Sequence, residues 1–263
     1  MKFKLSPFML LIGLSLLVNA CSPSIPTEPS TSPSPPLMET NSTQTATPEG
    51  AASESVGTAT NPVDSITSTP TPPPIPRYFT EEWNGDTAHW FWFTTLNNDN
   101  FVDIYPEVGV LEISLTGKNV SSYFIYQPWG YDQVKVTTQI ENRTLTKSTT
   151  VIVCDYTDDL GWYEFDIDSD GVWQIRLHDT LGKTGYLSLQ NGGSRAIHTG
   201  EAINEYSISC IGNQLSLIVN GTLVVEYTDK ILKFKQGKIG IGAISYTEIP
   251  ILIESDWLTV EKP

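Results

Sequence analysis

The stretch from Cys154 to Leu177 constrains this chain more than any other. From Trp162 the side chains alternate, with Tyr163, Phe165 and Ile167 on one face and Trp162, Glu164, Asp166 and Asp168 on the other. A period of two marks a strand with one face in a core. Ser169-Asp170-Gly171 then allows two turn registers. A two-residue Asp-Gly loop pairs Asp168 with Trp173 and Phe165 with Arg176, mixing carboxylates with apolar groups on each face. A three-residue loop with Gly171 left-handed pairs Asp168 with Val172 and Phe165 with Ile175. Tyr163, Phe165, Ile167, Trp173, Ile175 and Leu177 then share one face, and Trp162, Glu164, Asp166, Asp168, Gln174, Arg176 and His178 the other. A one-residue slip would exchange those faces, so the second register is expected.

Short runs of the same kind recur between residues 77 and 263, among them 110–115, 133–141, 149–156, 205–211, 238–245 and 251–260. Gly212-Asn213 and Asn220-Gly221 read as tight hairpin turns, the first pairing Cys210 with Leu215 and Ile208 with Leu217. No long segment shows the 3.6-residue period of a helix. An all-β sandwich or barrel follows, and one domain of this length is ordinary for that class.

Residues 1–20 stand apart from that domain. Lys2 and Lys4 precede an apolar run from Leu5 to Val18, too short to span a bilayer and shaped like a signal peptide. It ends in Leu17-Val18-Asn19-Ala20-Cys21, which resembles a bacterial lipobox. The resemblance implies cleavage before Cys21 and acylation of that residue, palmitate included; an ordinary secretory signal with a chance cysteine is the competing reading. Residues 22–76 contain no aromatic, Lys, Arg or Cys and are dominated by Pro, Ser and Thr. Such a segment buries too little surface to offset its chain entropy, so residues 21–76 are expected to form a disordered linker behind the lipidated Cys21. The domain would then stand outside the cytoplasm, anchored to the cell membrane or outer membrane.

The formal net charge of −15 argues against nucleic acid and against electrostatic attraction to anionic lipid, leaving the lipid anchor as the only membrane contact. Cys154 and Cys210 remain as an even pair in an exported chain, most simply a disulfide, with two free buried thiols as the alternative.

Ile152-Val-Cys-Asp-Tyr156, Gly161-Trp-Tyr-Glu-Phe165 and Asp170-Gly-Val-Trp173 carry a family pattern, continued by Gly200-Glu-Ala-Ile-Asn204, Cys210-Ile-Gly-Asn-Gln-Leu215, Val219-Asn-Gly221 and Gly237-Lys-Ile-Gly240. Together they resemble the concanavalin A-like lectin/glucanase superfamily, nearest its laminin G-like and 3-keto-disaccharide-hydrolase-type branch. The likeness spans residues 78–263. It implies a jelly-roll sandwich of two curved antiparallel sheets with the first and last strands adjacent. Such folds carry lectins, glycosidases and interaction modules alike.

Glu164-Phe-Asp166-Ile-Asp168 resembles the Glu-x-Asp-x-Glu strand of retaining β-glucanases in that superfamily. The likeness implies Glu164 as nucleophile, Asp166 as helper and Asp168 as acid/base, with Asp168 one methylene short of the usual Glu. Arg176, opposite Glu164, favours an ionised pair over an acid held protonated. The expectation is therefore a solvated polar face, with Trp162 as the best candidate for an exposed platform under a sugar ring and a core or rim position as the competing reading for any one tryptophan. Trp162, Glu164, Asp166, Arg176 and His178 form the expected ligand-binding set, and the expected function is binding of extracellular carbohydrate without catalysis. A glycoside hydrolase of a glycan or disaccharide, using Glu164, Asp166 and Asp168, is one alternative; a protein-binding envelope module is another. Residues 166–171 open like a calcium loop, but Leu177 stands where its bidentate Glu belongs. His89, His178 and His198 have no metal spacing. No cofactor is expected, with Ca2+ considered only as an incidental ion near Asp158-Asp159 or this turn.

Overall fold

The computed structural model describes residues 74–84, 86–95, 99–107, 109–182, 185–231, 234 and 236–263. The expected signal peptide, Cys21 and all but the last three residues of the expected linker lie outside the described residues. Those described fall within one compact unit, Ser68–Pro263.

Strands follow one another along this unit: β1 (Phe79–Glu81), β2 (Trp90–Thr94), β3 (Val102–Glu107), β4 (Val110–Leu115), β5 (Ser121–Tyr126), β6 (Gln133–Asn142), β7 (Thr149–Thr157), β8 (Gly161–Asp168), β9 (Val172–Asp179), β10 (Gly185–Gly193), β11 (Ile203–Ile211), β12 (Gln214–Val219), β13 (Thr222–Thr228), β14 (Lys238–Ile244) and β15 (Ile251–Glu261). A single 3-10 turn, Asp99–Phe101, is the only helical element among the described residues. The strands form two sheets, ordered β13-β12-β11-β6-β15-β4-β3 and β10-β9-β8-β7-β14-β5-β2, with β1 alongside β15. Every pairing is antiparallel, and the first strand meets the last at Phe79 and Val260. This is the all-β jelly-roll sandwich that the sequence leads one to expect.

Alternation places the core between the sheets. Tyr163, Phe165, Ile167, Trp173, Ile175 and Leu177 are all buried there, in one cluster with Val136, Ile208, Leu217 and Leu258 of the facing sheet. Each fully buried aliphatic or aromatic side chain of this kind contributes about 1.5–3 kcal/mol. The β8–β9 hairpin has the expected register, pairing Phe165 with Ile175, Glu164 with Arg176 and Trp162 with His178. Gly171 closes its three-residue loop at φ +93°, donating its N–H to Asp168 O at 3.0 Å. Cys154 on β7 and Cys210 on β11 form a disulfide that ties the two sheets together. Closing a loop of this length restrains the unfolded chain by about 4 kcal/mol.

β3 carries Pro106 within it. β3 lies at the edge of its sheet, where a strand proline is tolerated.

The outer face of the seven-stranded sheet departs from a simple polar surface. Tyr123, Ile125, Val151, Val153, Tyr156, Trp162 and Ile244 form a second buried cluster there, with Phe91, Phe93 and Tyr186 packed against it. β14 lies close to β5 beneath that cluster. A Cβ at Gly242 would stand 2.1 Å from Ser122 O, so only glycine permits the approach.

Candidate active site

The hairpin sets Trp162, Glu164, Asp166, Asp168, Gln174, Arg176 and His178 on that outer face, as expected, but most of them are covered. Trp162 is 4% exposed, which corrects its expected role as an open platform. Its indole stacks on His178 at 3.8 Å and packs against Phe93, Tyr123 and Tyr156. Neither ring face is left for a sugar. The exposed tryptophans are Trp92 on β2 (43%) and Trp129 in the loop after β5 (37%).

Glu164 is fully buried. Its Oε2 accepts from Tyr123 OH and from Trp162 Nε1, each at 2.9 Å, and Arg176 Nη2 lies 2.6 Å from Oε1. Burial raises its pKa, while Arg176, Trp162 and Tyr123 favour the ionised form. A carboxylate enclosed in this way has no path to an anomeric carbon, so the nucleophile role implied by the likeness does not fit Glu164. Tyr186 completes the enclosure. Its hydroxyl is 2.9 Å from Tyr123 OH, and the Arg176 guanidinium lies 4.7 Å from its ring centre. His178 is half-buried, its Nδ1 has no partner, and burial lowers its pKa.

Asp166 is 3% exposed. Arg176 Nε lies 2.5 Å from its Oδ2, and its Oδ1 has no hydrogen-bond partner. Burial first, and then the neighbouring Glu164 charge, push its pKa well above the ordinary carboxylate value; Arg176 opposes them without cancelling them. Asp168 lies nearer the surface. Its Oδ1 accepts from Thr149 Oγ1 at 2.5 Å, and Lys147 Nζ lies 2.6 Å from its Oδ2 and 2.9 Å from Asp170 Oδ2. In the stretch that opens like a calcium loop, a lysine ammonium thus bridges two of the acidic side chains.

Asp166 and Asp168 line a cavity of about 230 Å3 together with Val172, Trp173, Gln174, Asn191 and Tyr246. Asn191, Gln174 and Asp166 are paired across β10, β9 and β8, so their side chains form one polar row. Asn191, Tyr246, Lys147, Tyr123 and Tyr186 were not among the expected site residues. They arrive from β10, the segment after β14, the segment before β7, and β5. No local pattern marks them; only the pairing of Tyr186 with His178 could have been found, given the β10 register.

No protein-family model matches the sequence, and no curated protein matches it. Solved structures do. A Bacillus licheniformis β-glucanase superposes with a TM-score of 0.51 over 71% of this chain and 98% of its own, at 16% identity. A glycoside hydrolase family 16 endo-glucanase from Bacteroides ovatus gives 0.53 over 70% and 99%, at 11% identity. A prokaryotic β-1,3-1,4-glucanase (lichenase) derived from a mouse hindgut metagenome gives 0.51 over 71% and 99%, at 15% identity. The fold is that of the family 16 glucanases. At these identities the likeness is one of fold. The expectation of carbohydrate binding without catalysis is overturned: these structures are of glycoside hydrolases, and the tryptophan platform on which it rested is buried.

Proposed function

We propose that this chain is a glycoside hydrolase of the bacterial cell envelope, with Asp166 as general acid and Asp168 as general base. The observation that carries the reading is that two carboxyls of opposite character line one cavity. Asp166 is buried, keeps a free oxygen and favours its protonated form. Asp168 is ion-paired to Lys147 and held by Thr149. A buried carboxyl that holds its proton, beside one nearer the surface that is paired with a lysine, divides the acid and base roles between them.

In this scheme Asp166 gives its proton to the glycosidic oxygen as the bond from that oxygen to the anomeric carbon breaks. Asp168 takes a proton from the water whose oxygen forms the new bond to that carbon. Glu164 touches no substrate; with Arg176 it holds Asp166 in place. The shared fold with the glucanases supports a β-linked glucan as the substrate class to try first. Incubation with soluble β-glucans should release reducing ends. Failure to release any from the whole set would sink the proposal.

The anchor belongs to the same reading. Cys21 would carry the lipid, residues 22–76 would serve as a spacer, and residues 77–263 would work outside the cytoplasm, with carbohydrate as the partner. The finer placement beside laminin G-like and 3-keto-disaccharide-hydrolase-type domains is likewise part of this proposal. Labelled palmitate should enter the chain and be lost with Cys21→Ala; equal labelling of both would refute the anchor.

A further inference from the structure

An enzyme that grips the middle of a glycan needs a groove open at both ends. The outer face here is closed on two sides of Asp166. The row Asn191, Gln174, Asp166 continues across the sheet as Val151 on β7 and Tyr123 and Phe93 on β5 and β2. Val151 and Tyr123 are fully buried, and the Phe93 ring stacks on Tyr123 at 5.0 Å between centres. A sugar chain cannot pass over that side.

One step along the strands the neighbouring row is shut as well. Arg176 bridges Glu164 and Asp166, the Tyr186 ring lies against the guanidinium, and Trp162 is stacked on His178 beyond it. The exposed residues around the cavity are Val172, Asn191 and Tyr246, all toward the turn end of the hairpin or across from it. They form a mouth on one side.

The cavity's size agrees with this shape. Its volume of about 230 Å3 lies below the roughly 300–1,000 Å3 of sites that enclose a drug-sized ligand. A single sugar ring suits it; a run of rings does not. Asp166, Gln174 and Asn191 line it in one row; Gln174 Nε2 donates to Ser188 Oγ at 2.5 Å, which leaves its amide oxygen, the Asn191 amide and the Asp166 carboxyl as polar groups able to pair with ring hydroxyls.

Resting on the hydrolase reading above, we infer that the cavity is a blind pocket for the terminal sugar of a glycan, so that sugars are removed from a chain end and not cut from within the chain. The shared fold then serves a different mode of attack from that of the endo-glucanases, because this chain's own aromatic side chains fill the space a through-going groove would need.

The test uses the purified full-length protein with a soluble mixed-linkage β-1,3-1,4-glucan and with β-1,4- and β-1,3-linked glucose hexasaccharides. Reducing ends, product sizes and polymer viscosity are followed together. The inference expects monosaccharide and pentasaccharide as the first hexasaccharide products, with viscosity nearly constant while reducing ends accumulate. Val172→Trp, at the exposed mouth, should slow release about tenfold or more without lowering the melting temperature. Early tri- and tetrasaccharides with collapsing viscosity would overturn the blind pocket and leave the hydrolase reading intact. Full activity in Val172→Trp would also overturn it. Release of no reducing ends from any substrate would remove both.

Discussion

Arg176 Nε lies 2.5 Å from Asp166 Oδ2, while the other oxygen of the same carboxyl is buried without a partner and the residue lines a cavity. The guanidinium also reaches Glu164, so one cation serves two buried acids. Its own burial works against its charge, but Glu164 and Asp166 outweigh that and raise its pKa. With one cation for two carboxyls, the arrangement favours a proton on Asp166. That proton is the resource the proposed chemistry draws on.

Removing the shared cation should be expensive. Arg176→Met leaves the buried Glu164 carboxylate without its cation, beside the protonated Asp166, and should cost about 3–5 kcal/mol. Arg176→Lys keeps the charge but loses the fork that reaches both acids, so it should fall between wild type and Arg176→Met. Urea unfolding of the three proteins checks the order. Equal midpoints for Arg176→Met and wild type would show that the bridge contributes nothing to stability.

The pH dependence of turnover has a definite sign. A folded-state pKa raised above the ordinary value keeps Asp166 protonated to higher pH, so acid catalysis is present below that pKa and lost as pH rises through it. The alkaline limb of kcat/KM should therefore lie above the carboxylate range near about pH 4. Asp166→Asn cannot donate the proton, so its residual turnover, lower by about 10²–10⁴-fold, should lack that alkaline limb. A limb within the ordinary carboxylate range would assign the acid role elsewhere.

Stereochemistry follows from spacing. Asp166 and Asp168 are two residues apart on one strand face, a separation of about 6.5–7 Å along the backbone. Their side chains lean apart, Asp166 toward Arg176 on β9 and Asp168 toward Thr149 on β7. Inverting glycosidases hold their carboxyls about 6.5–9.5 Å apart, and retaining ones about 5–5.5 Å. The first-formed product should carry the inverted anomeric configuration in proton NMR during early turnover. Retained configuration would exclude this pair as acid and base.

Asp155 offers a test of the fold away from the cavity. It is buried on β7 in a left-handed conformation, φ +54°, and burial raises its pKa to about 7. The sign is that of a raised carboxyl: its stabilising contribution is complete below the unfolded value near about pH 4 and disappears as pH rises through about 7. Asn tolerates the same backbone and carries no charge. Asp155→Asn should therefore gain melting temperature relative to wild type between pH 5 and 8, with the gap widening as pH rises. A constant gap would mean that Asp155 does not titrate in that window.

The hairpin register was legible because every competing register carried a visible fault. Phe165 meets Ile175 only if Gly171 takes a left-handed turn, and a slip would place Glu164 in the core. The partnership of Cys210 with Leu215 was legible for the same reason. The burial of Trp162 was not. A two-residue period distinguishes two faces and implies that one is wet; it cannot show that Phe93, Tyr123, Tyr156 and Tyr186, from four other strands, will cover the second face. Lys147, Asn191 and Tyr246 were hidden similarly, since sheet topology alone brings them beside Asp166 and Asp168.

The measurement that bears most directly on this account is reducing-end release from β-glucan substrates by wild type, Asp166→Asn and Asp168→Asn, with each melting temperature recorded. The account predicts turnover by wild type and a loss of about 10²–10⁴-fold in each variant, with folding intact. An inactive wild type, or an Asp166→Asn protein that still turns over at the wild-type rate, would contradict it.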